Sequence, residues 1–214
     1  VNQKSKKVKK KVAGPFAHGQ YVVRRKFWKF FGAAFYIMDE AGELIGYSSQ
    51  KAFKLKEDIR VYTDDSMSEE LLVIKARNII DFGATYDVTD PADGERTVGS
   101  YRRKGWTSLV RDEWMIFDEE ENEIGKIQED SAGLAIVRRI VGGLANLLAP
   151  QAYGVEINGE KVADMATSRN PFLYILNVTI EPEVEVDTRL LLAGAILLAA
   201  IEGKQGGGGL DIGG

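Results

Sequence analysis

Leu190-Leu-Leu-Ala-Gly-Ala-Ile-Leu-Leu-Ala-Ala-Ile201 is a run of twelve residues without one polar side chain. A helix that is apolar all round cannot rest on a protein surface, so it is enclosed by other structure or lies in lipid. Twelve residues at about 1.5 Å each cover roughly 18 Å, well short of the roughly 30 Å hydrocarbon core of a bilayer. Enclosure is therefore favoured. Asp187 and Thr188, good N-cap residues, precede the run, and Gly203 and the Gly206 to Gly209 tract follow it and stop a helix. Counted from Asp187 to Gly203 the helix is about 25 Å long, close to the roughly 23 Å of a seven-residue strand. A closed sheet of such strands would hold it like an axle.

The rest of the chain supplies those strands. Four hairpin-like units recur, each a short apolar stretch, an acidic or glycine-bearing turn, and a second stretch: Phe35 to Gly46, Ile59 to Lys75, Tyr86 to Gly99, and Trp114 to Gly125. The aspartates that open their turns, Asp39, Asp64, Asp90 and Asp118, are about 25 to 28 residues apart, the scale of a β-hairpin repeat. Asn158-Gly159 marks a fifth hairpin, because the pair supplies the positive φ angles of a type I′ turn. From Phe172 to Glu181, Phe172, Tyr174, Leu176, Val178 and Ile180 alternate with Asn177, Thr179 and Glu181, one face for the core and one for water. With a first strand around Tyr21 to Phe31, the pattern predicts a mainly β protein. The expected fold is a closed antiparallel barrel of about twelve strands around a central hydrophobic C-terminal helix. One additional outer helix is expected between Ser131 and Pro150, where Val137, Ile140, Val141, Leu144, Leu147 and Leu148 fall at helical spacing.

Composition fits one domain. Of 214 residues, 44% are hydrophobic and 28% charged, enough for a sizeable core. Cysteine is absent, which excludes disulfides, thiolate catalysis and zinc sites built on sulfur. The net charge of −4 conceals an asymmetry: six of the 28 basic residues are lysines between Lys4 and Lys11, leaving 22 to face 32 acidic residues. A basic tail on an acidic body argues against a body-wide nucleic-acid surface. Residues 1–19 are expected to be a disordered basic tail, 20–203 the barrel, and 204–214 a flexible glycine-rich tail. No apolar stretch directly follows the lysines, so no signal peptide is expected and a cytoplasmic location is the default.

The Tyr21-Val-Val-Arg-Arg-Lys-Phe27 opening strand, hairpins of the Phe35-Tyr-Ile-Met-Asp-Glu-Ala-Gly-Glu43 type and the apolar C-terminal helix, in that order, resemble the LURP-one-related proteins. These are grouped with the phospholipid scramblases and the tubby C-terminal domain. The resemblance spans Tyr21 to Gly203 and implies a twelve-stranded barrel around a central helix. It also implies a candidate function, since tubby-type domains bind phosphoinositide head groups through basic side chains and scramblase-like members are linked to lipid movement and calcium. The basic residues available here are Arg24, Arg25, Lys26 and Lys29 on the first strand, and Arg102, Arg103, Lys104 and Arg111 flanking Trp106. Neighbours on a strand point to opposite faces, so at most alternate members of a cluster can meet one ligand. The chain departs from scramblases in having no cysteine cluster and no proline-rich N-terminal segment. Glu181, Glu183, Glu185 and Asp187 also lack the ligand spacing and turn glycine of a calcium loop.

Other chemistry is weakly signalled. Asp87, Asp90, Asp93 and Gly94 are spaced by threes instead of alternating as calcium ligands do, and no metal or cofactor is expected. Asp81-Phe82-Gly83 stands without the other kinase signatures. His18, the one histidine, lies in a loop-like segment and is expected to be an ordinary surface residue. Trp28, Trp106 and Trp114 could line a sugar groove, but core packing is the expected role of at least two of them. The expected function is that of a non-enzymatic barrel binding an anionic phospholipid head group or standing as a scaffold near a membrane, peripheral to it, with no nucleic-acid partner. The alternatives are a protein-interaction or oligomerisation module docking through the outer helix and, less supported, a small-molecule-binding or hydrolytic barrel.

Overall fold

The four spaced aspartates all perform one local task. In the computed structural model, which describes residues 14–28, 32–50, 58–77, 84–94, 96–104, 113–130, 151–168, 173–184 and 186–201, a carboxylate oxygen of each accepts the backbone N–H two residues on. The donors are Ala41, Ser66, Ala92 and Glu120, at 2.8 to 2.9 Å. Asp39 and Asp118 also accept from the fourth residue on, Glu43 and Asn122. Such a bond mimics a backbone turn and reverses the chain, so the strand before each aspartate pairs antiparallel with the strand after it. Asn158 and Gly159, at φ 54° and 81°, reverse the fifth hairpin as the sequence predicts.

Twelve strands result among the described residues: β1 (Gln20–Trp28), β2 (Gly32–Asp39), β3 (Leu44–Gln50), β4 (Asp58–Tyr62), β5 (Glu70–Ala76), β6 (Thr85–Asp90), β7 (Arg96–Arg103), β8 (Glu113–Phe117), β9 (Glu123–Glu129), β10 (Ala152–Ile157), β11 (Glu160–Thr167) and β12 (Tyr174–Ile180). Each pairs antiparallel with its neighbours in the chain, and β1 pairs with β12 to close the barrel. A register shift just before each aspartate turn, at Ile37/Met38, Val61/Tyr62, Val88/Thr89 and Ile116/Phe117, marks an irregularity of the β-bulge kind. Bulges bend and twist a strand, which is the curvature that closure needs. The seam between β3 and β4 is the thinnest, with Tyr47 and Tyr62 as its paired residues. An apolar crevice opens there, and Pro15 and Phe16 line it together with Ile45, Val61, Leu192 and Ile196. Packing therefore begins ahead of the first strand, inside the segment expected to be a tail.

Helix α1 (Thr188–Ile201) runs through the barrel. Every residue from Leu190 to Ala200 is buried, and the helix packs against β1, β5, β7 and β12, as the unbroken apolar run requires. Asp187 caps it, accepting the Arg189 N–H at 3.0 Å on its side chain and the Leu190 N–H at 3.0 Å on its carbonyl. Arg189 in the first turn is held by Asp187 at 2.7 Å and by Asp90 at 2.6 Å, tying the helix start to the β6–β7 turn. Gly194 leaves a notch midway, into which the Tyr101 hydroxyl fits while donating to the Leu190 carbonyl at 2.7 Å. Trp114 is 1% exposed in the core. The side chain of Trp28, and Trp106 altogether, lie outside the described residues, as does the outer helix expected at 131–150.

The two ends of the barrel differ. At one, the turn end, lie the aspartate turns, the Asn158-Gly159 turn and the start of α1. At the other, the rim, α1 finishes. The rim carries the ends of β1, β3, β5, β7, β9 and β11 and the starts of β2, β4, β6, β8, β10 and β12.

His18 departs from its expected role. Its half-buried ring meets Tyr21 edge-on at 5.8 Å, its Nδ1 lies 3.1 Å from a Glu40 carboxylate oxygen, and the His18 backbone N–H donates to the Tyr21 hydroxyl. The reason is its place three residues before the inward-facing Tyr21. Burial pushes the Tyr21 hydroxyl up to about 12, the His18 N–H opposing and Glu40 adding to the rise. Burial pushes Tyr101 higher still. An unfolded tyrosine titrates near pH 10. Between about pH 10 and 12 the unfolded chain therefore binds fewer protons than the folded one, and stability falls as pH rises. Urea midpoints are expected to drop through this window, and to drop less in Tyr21→Phe. A slope unchanged by that substitution would contradict the assignment.

Candidate functional site

The phase of β1 is set by Tyr21 and Val23, 1% and 0% exposed, which turn inward. Arg25 follows in the same phase, whereas Arg24 and Lys26 point out and are exposed. The expected first-strand cluster is thereby split by alternation. Arg25 is 4% exposed, and its Nη1 donates to the Ala199 carbonyl at 2.9 Å. Its guanidinium lies 5.9 Å from the centre of the Phe35 ring. It serves as an internal cap for the last turn of α1, where unsatisfied carbonyls make the helix end negative. Burial lowers its pKa, with Tyr174 opposing. An arginine stays charged through such a shift because it starts so high.

The second cluster divides in the same way. Tyr101 is inward, so Arg102 points out and Arg103 in. Arg102 lies 4.6 Å from the centre of the Phe117 ring and donates to the Thr85 hydroxyl at 3.2 Å. Arg103 is half-buried over Trp114. Lys104, just past β7, is exposed and pairs with Glu113 at 3.2 Å. Lys29 and Arg111 lie outside the described residues. The outward cations are thus Arg24, Lys26, Arg102 and Lys104. Lys75 on β5, which was not singled out in the sequence, joins them near the same rim, exposed and outward. Its signal was its place in the alternation of Leu72, Ile74 and their outward neighbours.

These residues do not surround one ligand. In the ring β1 and β7 are six strands apart, on opposite walls. A twelve-stranded barrel, with strands about 4.8 Å apart and tilted by about 40°, is on the order of 20–25 Å across. A single phosphate group cannot be grasped from both walls at once. What the arrangement offers is separated points of positive charge on opposite walls of a cylinder.

Cations elsewhere are held in ion pairs as well. Arg60 bridges Asp58 and Glu70. Arg77 bridges Asp87 and Glu121, and Arg96 holds Glu119. Opposite the rim, the turns carry Glu40, Asp65, Glu119, Glu120 and Glu183, all exposed. Among the described residues no three carboxylates or imidazoles are grouped to hold a metal ion, and no helix is long and apolar enough to cross a membrane.

Comparison with known proteins bears on the fold. In three dimensions the chain is similar to a protein from Arabidopsis thaliana solved by X-ray crystallography. The TM-score is 0.50 at 12% sequence identity, covering 90% of this chain and 98% of that one. At that identity the likeness speaks for the barrel alone. No curated protein matches the chain in sequence. A family model described as LURP-one-related matches residues 45–199, from the second strand of the first hairpin to the last turns of the enclosed helix. With most of its length inside that match and the barrel in place, the chain belongs to the LURP-one-related family.

Proposed function

We propose that the protein is a non-enzymatic barrel that docks on anionic phospholipid surfaces as a membrane-proximal scaffold, touching several head groups and enclosing none. The observation that supports this reading is the placement of Arg24, Lys26, Arg102 and Lys104. All four are exposed, Arg24 and Lys26 on the wall of β1 and Arg102 and Lys104 at β7 on the opposite wall. A head-group pocket needs converging donors, whereas a charged surface is met by spaced ones. Each basic residue near such a surface contributes about 1 kcal/mol and loses it within a Debye length of about 8 Å at physiological salt. Four residues therefore supply on the order of 4 kcal/mol, roughly a thousandfold in affinity. The six lysines between Lys4 and Lys11 would add to this wherever they reach the same surface.

Vesicle flotation tests the reading. The protein is expected to float with phosphatidylcholine vesicles containing phosphatidylserine, to stay behind with phosphatidylcholine alone, and to be released by high salt. Replacing Arg24, Lys26, Arg102 and Lys104 together by glutamine should lower binding by roughly a thousandfold. Arg25→Lys, which alters only the inside of the barrel, should leave it unchanged. Equal recovery from neutral and anionic vesicles, insensitive to salt, would remove the lipid claim.

A further inference from the structure

We infer that residues 14–18 are a strap whose Phe16 plugs a port in the barrel wall, at the seam of β3 and β4, leading to the middle of α1. The inference rests on the wall itself and not on the lipid reading. Two bulges make the port. Ile37 pairs with Gly46 and Met38 with Leu44, which leaves Ile45 as the extra residue of one; Val61 pairs with Leu72 and Tyr62 with Glu70, which leaves Leu71 as that of the next. Both extra residues line the apolar crevice at the seam, together with Val61 and with Leu192 and Ile196 of α1. Gly46, Gly99 and Gly125 hold the same place, each directly after the extra residue of its bulge. A Cβ on Gly99 or Gly125 would strike a backbone carbonyl of the adjoining strand, that of Phe117 or Glu156, so strand lies close on strand there. A Cβ on Gly46 would meet side-chain atoms first, those of Ile37 at 3.1 Å and Val61 at 3.2 Å. The wall therefore parts at this level between β3 and β4, and Phe16, packed against the core, closes it.

The closing segment is built to lift away. Phe16 and His18 are half-buried, whereas Ala17 and Gly19 are exposed, so the ring and the imidazole share the face turned to the barrel. Residues 14–18 belong to no strand. The Gly19 carbonyl, which accepts the Ile180 N–H at 2.9 Å, is where the sheet takes hold of the chain. Ahead of it the described contacts are the seated Phe16, the Tyr21 hydroxyl bonded to the His18 backbone N–H at 3.0 Å, and the His18 Nδ1 clasped 3.1 Å from Glu40 and 3.9 Å from Asp39. The strap can thus swing about Gly19 without breaking one bond of the ladder. An opening that gives up so few contacts is far less costly than global unfolding.

The absence of cysteine allows single thiol reporters without background. Val61→Cys places one in the crevice, and Val155→Cys places one, equally buried, on β10, six strands away round the ring. Each full-length variant is treated with a small uncharged methanethiosulfonate under native conditions. The Val61→Cys thiol is expected to react faster than the Val155→Cys thiol. Adding Phe16→Ala should speed the reaction at position 61 by about tenfold or more, the factor that half the burial of a phenyl side chain supplies, and leave position 155 at its former rate. His18→Gln, which opens the clasp and keeps the plug, should act in the same direction. Equal acceleration at both positions would make Phe16 an ordinary part of the core and overturn the port, as would no acceleration at position 61. Should the Phe16→Ala chains fail to fold, the remaining variants decide: a Val61→Cys thiol no more reactive than Val155→Cys, and unmoved by His18→Gln, would overturn the strap.

Discussion

A chain cut before Asp187 is expected to be insoluble. The lost segment carries Leu190, Leu191, Leu192, Ile196, Leu197 and Leu198, each at most 4% exposed. At roughly 1.5 to 3 kcal/mol per side chain their burial is worth on the order of 10 to 20 kcal/mol, against a typical net stability of about 5 to 15. The loss does not stop there, because Val23, Phe35, Ile74, Tyr101 and Val178 would then line an empty bore. Water cannot fill an apolar bore favourably, so the wall would collapse or associate with other copies. Soluble yield and a thermal melt check this, and a cooperative transition from the truncated chain would contradict the enclosed-helix account.

Gly194→Ala is expected to destabilise the protein even though alanine is ordinarily favoured over glycine within a helix by about 1 kcal/mol. A Cβ at this position would stand 2.7 Å from Ile127 Cδ1 and 2.8 Å from the Tyr101 hydroxyl. The isoleucine methyl can move. The tyrosine is less free, since its hydroxyl is engaged by the Leu190 carbonyl at 2.7 Å and its ring is fully enclosed. Overpacking of this kind costs about 1–3 kcal/mol, so the net effect should be a loss, and Gly194→Leu should not fold. Tyr101→Phe in the same chain removes the obstructing oxygen, so the double variant should lose less than the two single losses combined. Urea midpoints for the four chains give the comparison, and a Gly194→Ala protein as stable as the parent would show that the notch is not needed.

What the sequence reveals about this fold is whatever physics acts locally. The run from Leu190 to Ile201 declares its enclosure because no face of it tolerates water. Asp39, Asp64, Asp90 and Asp118 declare the hairpins because each carboxylate reverses the chain within its own few residues. Leu176 and Val178 inside, with Asn177 and Thr179 outside, follow from the pleat. The candidate site was only half legible for the same reason. Alternation announced that neighbouring cations would part, and the inward phase of Tyr21 and Val23 contained the signal that Arg25 would be internal. No local signal showed that β1 and β7 stand on opposite walls, because that follows from closure by the pairing of β1 with β12. Nor did the sequence mark the bulges at Ile37/Met38 and its counterparts, whose residues are ordinary strand formers. The outer helix, Lys29 and Arg111 lie outside the described residues.

Tyr21 pairs with Val178, joining the first strand to the last. During synthesis the opening strand leaves the ribosome long before its partner exists, and the helix that occupies the bore emerges later still. Contacts this distant in sequence slow folding, since loop-closure entropy is lost before they can form. A growing chain therefore carries an open sheet with two unprotected edges and a bare apolar face until β12 and the helix have emerged, the state most exposed to misassembly. The order of emergence also restricts the route. A ring sealed ahead of the helix would have to reopen to admit it, so insertion and sealing are coupled as one late event.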